Sequence, residues 1–219
     1  MNISLPKIIY KFIGIYHILK DAPAYRSFSN YQKICRLCGE NIKFESKNKI
    51  IRALDLGCGS VLKNPFKADY IFGVDLSPNS KNIKYANLAI DKIPFSSSKF
   101  NFVTAYDFIE HIPRIIYING KRGRNFSSSN EQYRFAFVEL MNEIYRVLKV
   151  GGYFLSVTPA YPFSIAFTDP THVNYINEHT YVNYFTKQRI AKIYGFTGDF
   201  DLIKQGFQGK YLVTLLRKR

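Results

Sequence analysis

Residues 53–60 read Ala-Leu-Asp-Leu-Gly-Cys-Gly-Ser, and a second acid, Asp75, closes the apolar run Tyr70-Ile71-Phe72-Gly73-Val74. Gly57 and Gly59 carry no Cβ, so the backbone there can approach a ligand closely. Asp55, two residues ahead of Gly57, would repel a pyrophosphate and attract a ligand bearing a sulfonium and an ammonium. A dinucleotide fingerprint also needs a small residue where Leu62 stands. Asp75 can accept hydrogen bonds from both hydroxyls of a ribose. Two further groups carry acid–base chemistry: Asp107, Glu110 and His111, and the run Asp169-Pro170-Thr171-His172-Val173-Asn174. An imidazole in either could take the proton of an acceptor hydroxyl. His172 is the preferred general base, with Asp169 as its orienter or an acceptor contact, and His111 is a second catalytic candidate.

These residues need a frame. Residues 50–56 and 70–75 are apolar runs of strand length, each ended by a tight turn or an acid. In an open α/β sheet, ligands bind beyond the carboxyl ends of the strands. Residues 100–106 make the fourth strand and Tyr153 to Val157 the fifth. Between them a helix is predicted over 131–149, with Ser129 and Gln132 as a capping box. Its apolar stripe is Phe137, Met141, Ile144 and Leu148, and Gly151 is its stop. The segment from Gly59 to Tyr70 is too short for a full crossover helix, so a stunted or irregular one is expected. Thr158 to Asn177 is irregular, Tyr181 to Tyr194 is helical up to Gly195, and Tyr211 to Leu216 is the last strand. Residues 5–20 form a basic amphipathic helix, with Ile8, Phe12 and Tyr16 spaced by four, and it docks on the core. The stretch 113–130 is a basic loop, suited to acceptor capture or to solvent.

At Asp55-x-Gly57-x-Gly59 and Asp75 the chain resembles the class I S-adenosylmethionine-dependent methyltransferases. Ile93-Pro94-Phe95 followed by Lys99-Phe100-Asn101-Phe102-Val103 is similar to that family's stretch into the fourth strand. Asp107-Phe108-Ile109-Glu110-His111 is similar to its post-strand Glu-His motif. Tyr145-Arg146-Val147-Leu148-Lys149-Val150-Gly151-Gly152 is similar to its helix end. The resemblance covers residues 50–160 well and the rest loosely. It departs at Ser60 or Val61, at Asn101 and at Val150, where the family often has Gly, Asp and Pro. It implies a Rossmann-like, doubly wound α/β sheet of seven strands, mostly parallel, with an antiparallel last strand and helices on both faces. It implies S-adenosyl-L-methionine as cofactor, with Asp55, Gly57, Cys58, Gly59, Asp75, Leu76, Asn87 and Asp107 as its candidate contacts, Asn87 near the adenine. A looser likeness over Thr158 to Asn174 is to enzymes that modify glycans, so the expected acceptor is a small-molecule or saccharide-linked hydroxyl.

At 219 residues the chain suits a helical extension over 1–49 and one catalytic domain over 50–219 with a basic insertion at 113–130. No run of 18 apolar residues exists, so no transmembrane helix is expected. Peripheral membrane contact through residues 5–20 stays open, as does the oligomeric state. The net charge of +15 fits RNA, a membrane surface or a phosphate-bearing substrate. Abundant Lys, Asn, Ile, Tyr and Phe fit codon bias equally, and Lys outnumbers Arg, whose fork suits phosphate better. Cys35 and Cys38 form half of a zinc ribbon without a second pair, so no metal is expected; Asp169, His172 and Asp107 lack ligand spacing. Cys58 is read as packing, and free thiols fit a reduced cytoplasmic compartment. Ala105-Tyr106-Asp107-Phe108 stands where DNA amine methyltransferases place Asn/Asp-Pro-Pro-aromatic. RNA methylation and a non-catalytic cofactor-binding subunit remain the alternatives; a salt-sensitive RNA affinity marks the first and cofactor binding without turnover the second.

Overall fold

Apolar runs bounded by acids and glycines become parallel strands in the computed structural model, which describes residues 50–117 and 133–219. The strands are β1 (Arg52–Leu56), β2 (Tyr70–Asp75), β3 (Ile83–Tyr85), β4 (Phe100–Tyr106) and β7 (Leu148–Pro159). An antiparallel pair, β8 (Phe200–Gln208) and β9 (Tyr211–Lys218), completes the sheet. The order of this seven-stranded sheet is β3-β2-β1-β4-β7-β9-β8. Every pairing from β3 to β7 is parallel, whereas β9 runs antiparallel to both β7 and β8. Central strands covered on both faces must be apolar along their whole length, and β1 and β4 are buried almost throughout. β8 escapes the sequence reading because, as an edge strand, it buries little beyond Phe200.

One face carries Leu54, Leu56, Val103 and Ala105 against α1 (Ala136–Val147) and α3 (Glu178–Phe185). Phe137, Met141 and Ile144 of the expected stripe are buried as the 3.6-residue period requires, and Leu148 is buried too, but as the first residue of β7. The other face carries Ala53, Phe102, Tyr106, Leu155 and Val157, with Ile165 of the one-turn helix α2 (Ile165–Thr168) at its margin. Residues 57–69 contain no helix, as the short crossover requires. A single ring does part of a helix's covering there: Phe66 stacks on Phe102 with centroids 4.1 Å apart.

Three element boundaries differ from expectation. Tyr133–Arg134 forms β6, paired antiparallel with β5 (Ile116–Tyr117), so α1 starts at Ala136 rather than 131. Its N-cap is Phe135, which offers no side-chain cap; the expected cap at Ser129 and Gln132 lies outside the described residues. The helix stops at Val147, because Leu148 is already extended opposite Phe100, and Gly151 at φ 75° sits at the irregularity in that strand pairing. The helix expected up to Gly195 breaks after Phe185. α3 is capped by Asn177 and Thr180, and a 3-10 segment, Ile190–Tyr194, ends at left-handed Gly195. The helix over 5–20, Cys35, Cys38 and the loop from 118 to 130 lie outside the described residues. Among the described residues no helix is long and apolar enough to cross a membrane.

Candidate active site

The carboxyl ends of β1 and β2 form the first half of the site. Gly57 at φ 60° and Gly59 at φ 59° turn the chain through the left-handed region. The Gly57 amide donates to Val74 O at 2.9 Å, holding the turn against β2. A Cβ on Gly57 would lie 2.2 Å from Cδ2 of Phe108, whereas one on Gly59 would meet nothing within 4 Å. The space beside Gly59 is therefore open to a ligand, and Asp75 borders it. Asp75 Oδ2 accepts the Gly59 amide at 2.8 Å and Oδ1 accepts the Ser77 amide at 3.0 Å. Each oxygen keeps a lone pair for a ribose hydroxyl. Leu76, exposed beside it, offers an apolar ledge. These features fit S-adenosylmethionine.

Asp55 does not face that opening. It is fully buried, accepting Thr104 Oγ1 at 2.7 Å on one oxygen and the Lys63 amide at 2.9 Å on the other. Burial pushes its carboxyl up to about 6, against the Lys63 charge and these hydrogen bonds. Its position sets it as a brace that ties the far end of the glycine loop to β4, rather than as a charge offered to the ligand. Cys58 is buried, and burial first, then the Asp55 charge, raises its thiol to about 11; it packs, as expected. Asn87 opens a turn: its amide donates to Asp91 Oδ2 at 2.9 Å and its Oδ1 accepts the Ala89 amide at 3.2 Å. Asp107 leaves β4 in the left-handed region at φ 47°, exposed, with its amide on Val157 O.

The second half lies beyond the ends of β4 and β7. A 3-10 turn, Ile109–His111, follows β4, and the chain from 169 to 175 is bonded onto it. Glu110 O accepts the amides of Val173 and Asn174, both at 2.9 Å. Asn174 Nδ2 donates to Ile109 O at 3.2 Å, and Arg114 donates to Asn174 Oδ1 at 2.9 Å and also to Tyr175 O. The Glu-His segment and the Asp-Pro-Thr-His segment thus form one constellation. The rings of His111 and His172 stand 4.9 Å apart, edge to face. Phe108, which lies against Gly57, joins this half to the first.

Hydrogen bonds fix both imidazoles. Thr171 Oγ1 donates to Asp169 Oδ1 at 2.6 Å, so toward His111 Nδ1, 3.0 Å away, it accepts. His172 Nδ1 faces the Ala166 carbonyl at 3.2 Å, and a carbonyl only accepts. The neutral tautomer that these bonds select carries its proton on Nδ1 in both rings and leaves Nε2 as the acceptor atom. Asp169 orients His111 through Thr171, not His172 as expected. The Thr171 hydroxyl, more than its amide, holds the Asp169 carboxyl below its ordinary value. Between the rings and the sheet sits Glu110, only 2% exposed, with Oε2 accepting Thr158 Oγ1 at 2.6 Å. Burial, the largest cause, lifts its carboxyl to about 8. The sequence groups Glu110 with Asp107 and His111 by adjacency at a strand exit but gives it no role of its own; its burial is what the fold adds.

A family model described as a methyltransferase domain matches residues 28–198. No curated protein matches the chain. A SAM-dependent methyltransferase from Archaeoglobus fulgidus is 15% identical, with 93% of this chain and all of that one (100%) covered and a TM-score of 0.52. A protein from Pyrococcus horikoshii is 17% identical over 90% of this chain and 99% of its own, with a TM-score of 0.50. The [4+2]-cyclase SpnF is 12% identical over 85% and 80%, with a TM-score of 0.51. At such identities the likeness is one of fold; that a cyclase shares it means the acceptor chemistry must be argued from side chains.

Proposed function

The chain belongs to the methyltransferase-domain family, with S-adenosylmethionine as its cofactor, and we propose that it methylates a hydroxyl on a small-molecule or saccharide-linked acceptor. When bound, the cofactor supplies an electrophilic methyl carbon attached to positively charged sulfur. Asp75 and the Gly57–Gly59 turn would hold it. The acceptor then has to shed a proton, which a hydroxyl does less readily than an amine that is already unprotonated. The observation that carries this reading is the pair of imidazoles 4.9 Å apart at the sheet's rim, with both Nδ1 positions engaged. Two Nε2 lone pairs are thereby left to receive that proton. His111, more exposed than His172, is the nearer to an incoming acceptor.

The reading retains the division into a helical extension over 1–49 and a catalytic domain over 50–219, and it locates the enzyme in the cytoplasm. It assigns acceptor capture to the basic insertion at 113–130, in which Ile116–Tyr117 pairs as β5 with β6 just beyond the insertion. Labelled-methyl transfer to fractionated small molecules and saccharides tests it, with His111→Ala and His172→Ala beside the wild type. A fall of roughly 10²–10⁴-fold in turnover, with cofactor affinity unchanged, is expected. Undiminished turnover in both variants discards the role. Label found in RNA, with binding that weakens steeply as salt rises, moves the acceptor to nucleic acid.

A further inference from the structure

We propose that Glu110, His111 and His172 together bind one divalent transition-metal ion, and that this ion receives the acceptor's oxygen. The inference rests on the hydroxyl reading above and specifies how the oxygen is engaged. One potential ligand atom from each of the three residues lies within 4.8 Å of the others. Bonds of about 2.0–2.2 Å to a common ion require only a small closing of the side chains from there.

The second observation is Glu110 itself. Its Oε1 is buried and has no hydrogen-bond partner among the described residues, while Oε2 is taken by Thr158. A buried carboxyl oxygen normally finds a donor. A cation satisfies it directly.

The surroundings of the two imidazoles agree. Metal-bound histidines usually donate their other N–H to a carbonyl or a carboxylate-linked group, which fixes ring and tautomer. His172 has Ala166 O in that place, and His111 has Thr171, itself anchored by Asp169. Two imidazoles and one carboxylate are a set chosen by zinc, iron, cobalt or manganese rather than by magnesium, and three protein ligands leave positions open for an outside oxygen. A hydroxyl that occupies one would lose its proton more easily; with both Nε2 atoms on the ion that proton passes to water rather than to an imidazole, the oxygen's lone pair forms the bond to the methyl carbon, and the carbon–sulfur bond breaks with its electron pair left on sulfur. The ligands come from two stretches of chain that meet in space, through the Val173 and Asn174 amides on Glu110 O, the Asn174 side-chain amide on Ile109 O and the Thr171–His111 contact; this explains why no ligand spacing shows in the sequence.

The full chain, stripped with chelator and dialysed, is titrated with Zn²⁺, Mn²⁺ and Co²⁺ by calorimetry without cofactor or acceptor, and Co²⁺ binding is followed by its visible absorption. One ion per chain is expected, bound at least 100-fold more weakly by Glu110→Gln and by His111→Ala, and about 10-fold more weakly by Thr171→Val. Circular dichroism and cofactor affinity check that each variant is folded. Absence of stoichiometric binding by wild type overturns the site, and so does equal affinity in wild type and both ligand variants. Full-rate methylation of a hydroxyl by the chelated wild type overturns the ion's role while the hydroxyl reading stands. One bound ion together with label on nitrogen supports the metal site and overturns the hydroxyl reading.

Discussion

The two halves of the site are built differently. The half around Gly57, Gly59 and Asp75 comes from two neighbouring parallel strands and the turn that leaves the first, bonded largely through backbone amides. The half around Glu110, His111 and His172 joins segments separated by 60 residues at the Thr171–His111 contact, and its chemistry lies in side chains. The first resembles what any donor-binding member of the fold needs. The second would set the acceptor on the function proposed above. Conformation dominates one and protonation the other, so the same kind of substitution should act differently in each.

Gly57→Val should have the largest effect. It combines a left-handed φ with a Cβ driven into Phe108, and a loss of about 3–5 kcal/mol in unfolding free energy is expected by urea denaturation. Gly59→Ala shares the φ but not the clash, so it should lose only about 1–2 kcal/mol while calorimetry shows weaker cofactor binding. Equal losses at both glycines would break the distinction drawn between them.

Asp55→Asn sharpens the contrast through pH. The buried Asp55 carboxyl is raised from 3.8 to about 6, so its favourable contribution is complete below 3.8 and disappears as pH rises through 6. Wild type should lose about 2.4 kcal/mol relative to the variant between pH 4 and pH 7, with a slope of at most about 1.4 kcal/mol for each pH unit. Denaturation curves that run parallel in the two proteins would mean Asp55 ionises freely.

Asp75→Asn should weaken the cofactor about 10- to 100-fold, since one charged hydrogen-bond acceptor is lost, and leave acceptor affinity alone. Asp169→Asn should have the smallest effect: about a 10-fold fall in kcat with unchanged cofactor affinity, because it acts on His111 only through Thr171. A change in cofactor affinity of the same size would show that the halves are coupled rather than adjacent.

Much of the frame was legible because parallel strands buried on both faces must be apolar throughout, and glycine after such a run admits few alternatives. The stripe of α1 was legible for a similar reason, its period being fixed by the helix. The ends of α1 were not. Tyr133–Arg134 becomes strand by pairing with Ile116–Tyr117, and Leu148 is extended because it opposes Phe100. Both outcomes depend on a partner that local propensity does not contain. β8 was missed because an edge strand that buries little leaves a weak apolar pattern.

What the chain's order of residues determined alone was the donor loop: Asp55, Gly57, Gly59 and Asp75 have their places because strand, turn and strand follow one another directly. What only the tertiary structure decided was that Asp55 points inward and that Glu110, His111, Thr171 and His172 form a single constellation. Backbone bonds between distant loops set that arrangement, and such bonds leave little trace in residue type, since any residue but proline can donate its amide.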